Sequence, residues 1–135
     1  MENTLNVRDL HPGEIESVRL FLQQHGWGHR VGSPEHFAQL IRQSQRTAVA
    51  LKDAQIIGFA RGISDGLSNG YLSMVVVDEQ HQRGGVGRAL VEHVMGNNPN
   101  ITWVLRAGRE GAEAFFSRLN FHVSEITMER LRSTE

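Results

Sequence analysis

The chain has 135 residues, with 14 Lys plus Arg against 15 Asp plus Glu and a net charge of −1. That length is one domain's worth and can bury a core without crosslinks, and the balanced charge argues against a broad nucleic-acid or anionic-membrane footprint. Cysteine is absent, which excludes a disulfide framework, a thiolate metal site and a cysteine nucleophile, and makes the cytoplasm the expected compartment.

Residues 1–10 lack the apolar core of a signal peptide, and no apolar run is long enough to span a membrane. No repeat or linker divides the chain, so residues 1–135 are expected to form one domain. Residues 4–8 alternate and predict a short strand. Pro12 suits a first helical turn. Ile15, Val18, Phe21 and Leu22 then recur at helical spacing up to Gly26. Ser33 and Pro34 are a second start signal, N-cap and first helical position, for a helix with the stripe Phe37, Leu40 and Ile41.

Residues 47–51 and 56–61 read as a hairpin. A turn cluster covers residues 65–70, where Asp65 is expected as a turn-former. Residues 71–77 are the strongest strand, expected in the centre of a sheet, with Tyr71, Ser73, Val75 and Val77 on one face. Val86, Ala89, Leu90 and Val94 predict a helix, residues 101–106 a strand, and Ala112, Phe115, Phe116 and Leu119 one face of a last helix. Asn120 is a plausible left-handed cap, and residues 121–131 are expected to be extended. The order β-α-α-β-β-β-α-β-α-β predicts an α/β (α+β) fold, a mixed sheet with helices on both faces.

The chemistry concentrates between the strongest strand and the following helix, in Gln82-Arg83-Gly84-Gly85-Val86-Gly87-Arg88. A helix N-terminus offers unpaired N–H groups and partial positive charge, and glycines let backbone approach a ligand closely. The arrangement suits phosphate or pyrophosphate. A tight turn with purely geometric glycines is the plainer reading, but three glycines in four positions weaken it. A P-loop would need Lys-Ser/Thr after Gly87, where Arg88-Ala89 stands. A dinucleotide fingerprint would need glycine at Leu90 and a carboxylate ending the next strand.

The segment resembles the Gln/Arg-x-x-Gly-x-Gly/Ala signature of the GNAT superfamily, the acyl-CoA-dependent N-acetyltransferases. Val75-Val76-Val77 is similar to the family's central strand, and Ala112 to Phe121 to its late helix. The resemblance implies acetyl-CoA as cosubstrate, with its pyrophosphate on the amides from Arg83 to Arg88 and its pantetheine arm along Val75, Val76 and Val77. It implies a backbone N–H near Val75 as oxyanion donor, and direct attack by a primary amine. Phe116 stands where the family usually has a tyrosine that protonates the leaving thiolate, so the general acid is open; a plain core aromatic is the alternative. Tyr71, the only tyrosine, is kept as a candidate catalytic residue beside its simpler reading as a strand-edge aromatic. No base is evident, and Glu79 and the polar run from Asp78 to His81 read as solvated.

In the family, the connection between the first two helices commonly covers the acceptor. Trp27, His29 and Arg30, on a glycine-flanked loop, are therefore candidate acceptor contacts. No metal site is expected from the histidine spacing. A homodimer is one expectation, since the family often dimerises. The alternatives are a non-catalytic acyl-CoA sensor on the same fold and, less favoured, a nucleotide-binding oxidoreductase domain.

Overall fold

A computed structural model describes residues 4–133. The chain divides into two compact units between Leu105 and Arg106. The first holds one five-stranded sheet in the order β1 (Leu5–Arg8), β2 (Arg46–Lys52), β3 (Gln55–Ser64), β4 (Asn69–Val77) and β5 (Thr102–Val104). The first three pairings are antiparallel and β4–β5 is parallel.

Each face of the sheet carries helices for a legible reason. On one face lie α1 (Ile15–Leu22), the single turn α2 (Gly28–Val31) and α3 (Pro34–Arg42). Their apolar stripes, Val18, Phe21, Leu22, Val31, Phe37 and Ile41, bury against Val49, Phe59, Met74 and Val76. The Ser33 hydroxyl caps α3 by accepting from the His36 N–H at 3.1 Å, with Pro34 in the first turn as expected. On the other face lies α4 (Val86–Met95). Gly58 lets it approach, since a Cβ there would sit 2.8 Å from Leu90 Cδ1. Arg46 closes the C-terminal end of α4 by donating to the carbonyls of Val94 (3.1 Å) and Met95 (2.8 Å).

The β2–β3 hairpin turns at Asp53 (φ 53°) and Ala54 (φ 64°), the paired left-handed conformations that match strand twist. The turn before β4 rests on Asp65, as expected. Its carboxylate accepts from the N–H groups of Leu67, Ser68 and Asn69 and from the Ser68 hydroxyl, which together hold it well below the usual carboxylate range.

Three expectations need correction. The segment Gly26-Trp27-Gly28-His29-Arg30 is not an open loop. The chain runs on from α1 as a wide turn, kinks at His25 and at Gly26 (φ 90°), and re-enters helix at Gly28. Residues 121–131 contain no strand. The face assignment of β4 fails beyond Ser73, because Arg61 pairs with Ser73 and Phe59 with Val76. Ala60 therefore opposes two residues, Met74 and Val75, in a bulge where Met74 takes φ 56°. Cross-strand partners share a face, so Tyr71, Ser73 and Val76 point to the α1–α3 side and Leu72 and Val77 to the α4 side.

In the second unit α5 (Ala112–Ser117) carries Phe116, buried between Phe115 (centroids 4.8 Å apart) and Phe121 (5.6 Å). Asn120 adopts φ 71°, and the N–H groups of Leu119 and Phe121 both donate to the Phe116 carbonyl. This is the left-handed helix ending expected at that position. Arg106 and Glu129 form an ion pair at 2.7 Å.

Candidate active site

The candidate site lies where β4 ends and α4 begins. Parallel pairing of β4 with β5 is confined to Asn69, Gly70 and Tyr71. Beyond Tyr71, among the described residues, no strand pairs with residues 72–77 on that side. An unpaired strand edge can accept an extended ligand as another strand would be accepted. The bulge at Met74 and Val75 bends the strand within this open stretch. Val75 and Val77 are half-buried there and Val76 is buried.

The open edge leads directly into the glycine-rich turn. The Asp78 N–H donates to the Ile57 carbonyl (2.8 Å), and the Gln82 side-chain amide donates to the Val77 carbonyl (3.1 Å). Arg83 takes φ 72° and Gly85 φ 85°, so the chain passes through two left-handed residues before α4. A Cβ at Gly85 would meet nothing within 4 Å, and Gly84 and Gly85 are exposed. The first intrahelical bond outside the turn runs from the Ala89 N–H to the Gly85 carbonyl (3.0 Å). The N–H groups ahead of Ala89 therefore open toward the side from which α4 presents its positive end. Val86 and Gly87 are buried, whereas Gln82, Arg83 and Arg88 are exposed, with Arg88 facing Glu92 at 3.5 Å.

Asp78 does more than the solvated role expected of it. Its carboxylate accepts from His81 Nδ1 at 2.8 Å and lies 3.2 Å from His25 Nε2. Bonding to His81 first, and to His25 second, holds its pKa below the ordinary carboxylate value. His25 Nδ1 faces the Phe21 carbonyl at 2.7 Å. The connection after α1 is thus tied to the end of β4 across 53 positions of sequence. Spacing alone carries no signal for such a pair.

The candidate acceptor residues sit beside this tie. Trp27 is half-buried against the core, while His29 and Arg30 are exposed on α2. Tyr71 lies in the paired part of β4, between Ile63 and Val104. Phe116 belongs to the second unit. Sequence reading missed Arg61, a buried arginine on β3 that faces the α1–α3 side opposite Ser73.

The sequence profile of the acetyltransferase (GNAT) domain matches residues 43–123, more than half of the chain. No curated protein matches it in sequence. Among solved structures, a GNAT-family acetyltransferase from Streptococcus pneumoniae TIGR4 is similar with a TM-score of 0.79 at 22% identity, over 99% of this chain and 100% of that one. A probable acetyltransferase from meticillin-resistant Staphylococcus aureus gives 0.78 at 17%, over 98% and 100%. The aminoglycoside N-acetyltransferase AAC(6')-Iy, solved in complex with CoA, gives 0.75 at 16%, over 99% and 98%. These likenesses establish the fold, and the profile match establishes the family. Among the described residues no helix is long and apolar enough to cross a membrane. The chain belongs to the GNAT acetyltransferases, a family that uses acyl-CoA, with a mixed five-stranded sheet flanked by helices.

Proposed function

We propose that residues 1–135 act as one acetyl-CoA-dependent N-acetyltransferase domain that acetylates a primary amine. The observation that carries this reading is the continuity of the unpaired β4 edge with the glycine turn at the head of α4. A pantetheine arm would add to residues 75–77 as a strand, and the pyrophosphate would meet the amides of residues 83–88. The CoA complex of the structural relative supports the same coenzyme here.

The reaction needs little from side chains. The free amine attacks the thioester carbonyl carbon, the C–S bond breaks, and the nitrogen loses a proton as the amide forms. The backbone N–H at Val75, which lies in the bulge opposite Ala60, would stabilise the developing oxyanion. Holding amine and thioester together supplies most of the acceleration. An ammonium has no lone pair, so its proton leaves first, to water or through water to a base. Phe116 has no proton to give, and the thiolate takes one from solvent. Trp27, His29 and Arg30 would contact the acceptor from α2 and the turn before it.

The test is release of free CoA thiol from acetyl-CoA across a panel of amines, with calorimetry of CoA binding in parallel. Thiol release dependent on an amine supports the transferase. CoA binding without release by any amine would favour the non-catalytic sensor, the reading that phenylalanine at position 116 suggests.

A further inference from the structure

Arg61 is the least compensated charge among the described residues of the core. It is 8% exposed, yet no carboxylate pairs with it. Of its five N–H donors, one finds a protein acceptor, from Nη1 to the Ser44 hydroxyl at 3.0 Å. Nε is sealed from solvent without a partner. The titratable groups whose charges reach it are Tyr71 and a second cation, Arg30. Burying a guanidinium this way is costly unless an anion compensates it.

The Ser44 bond accounts for only part of this. Ser44 in turn donates to the Leu40 carbonyl at 2.8 Å, so Arg61 touches the negative end of α3. That brace uses one donor and leaves the rest of the fork unmatched. Arg61 is paired with Ser73, the residue just before the bulge. Strand geometry puts it on the order of 8 Å from the Val75 N–H. It faces the α1–α3 side, where Arg30 also lies.

We propose that Arg61 forms an anion subsite for the acceptor, so that the amine acetylated here carries a carboxylate or a phosphate. The substrate class rests on the acetyl-transfer reading above; the anion subsite itself does not. A bidentate anion would satisfy the unmatched fork and hold an amine a few bonds away near the bulge. Arginine suits this role because its planar donors match carboxylate and phosphate geometry.

The experiment compares charged acceptors with neutral twins: β-alanine with its amide, and phosphoethanolamine with ethanolamine. The readout is the ratio of kcat/KM between twins, from thiol release. The native protein should prefer one charged twin by about 10- to 100-fold, and the pair that shows it separates carboxylate from phosphate. Arg61→Met should bring that ratio close to unity, and Arg61→Lys should leave it intermediate. Removing a buried unmatched charge should leave Tm equal or higher for Arg61→Met. No preference in the native protein, or a ratio unchanged in both variants, overturns the proposal. A lowered Tm with an unchanged ratio marks Arg61 as a brace of α3 and overturns it equally. If no amine is acetylated, the same four probes are titrated calorimetrically into CoA-loaded protein. Tighter binding of a charged twin, lost in Arg61→Met, sustains the subsite while refuting acetyl transfer. Equal binding of twins refutes the subsite.

Discussion

Gly85 offers the sharpest test of the proposed coenzyme turn, because strain and charge can be separated there. Its φ of 85° is a left-handed conformation that asparagine and aspartate tolerate far better than most residues. A Cβ would meet no atom within 4 Å, so neither Gly85→Asn nor Gly85→Asp creates a clash. Each should cost stability by about 1 kcal/mol of left-handed strain, lowering Tm by roughly 3–6 °C. The two side chains are nearly isosteric, so any difference in CoA affinity reports the negative charge. One charge about 6 Å from a phosphate, at an effective dielectric near 40, opposes binding by about 1.4 kcal/mol, or tenfold. Calorimetry should therefore show CoA bound about tenfold more weakly by Gly85→Asp than by Gly85→Asn. The gap should narrow as salt rises and its Debye length falls below that separation. Pantetheine, which lacks the pyrophosphate, should bind both variants alike. Equal CoA affinity for the two variants at low salt would refute the pyrophosphate assignment.

Trp27→Ala should raise the acceptor KM or lower kcat while acetyl-CoA affinity stays put, with about 2 kcal/mol of stability lost from its half-buried packing; a change confined to acetyl-CoA binding would remove Trp27 from the acceptor site. Phe116→Tyr adds a hydroxyl to a ring 8% exposed and flanked by two phenylalanines, which should cost about 1–3 kcal/mol if the hydroxyl finds no partner. Unchanged Tm with altered kcat would instead put that position beside the leaving sulfur. Glu14 is held to about 2, first by its bond to Arg8 (2.6 Å) and further by the His11 N–H. Its folded pKa is depressed, so the stability it contributes is present above the unfolded value of ~4.3 and fades as pH falls through about 2. The Tm difference between the native protein and Glu14→Gln should follow that window, and a difference constant down to pH 2 would contradict it.

Local signals in the sequence determined most of the elements and the glycine-rich turn. Ser33 and Pro34 announce α3 because a hydroxyl cap and a fixed φ act within one turn of chain. Gly85 announces the turn because the freedom to take a left-handed backbone is a property of the residue itself. The apolar stripes of α1 and α4 are equally local, a matter of 3.6-residue periodicity. Residues 121–131 alternate well enough to suggest a strand, yet a strand exists only when another pairs with it, and none does there among the described residues. The parity of β4 depends on one extra residue opposite Ala60, so Val76, not Val75, shares a face with Ser73. His25 meets Asp78, and Arg61 meets Ser44, only because three helices fold onto one face of the sheet. These are pairings between distant positions, and burial turns them into electrostatic facts: a charged side chain has no cost in an extended chain in water, and acquires one when the fold removes its solvent.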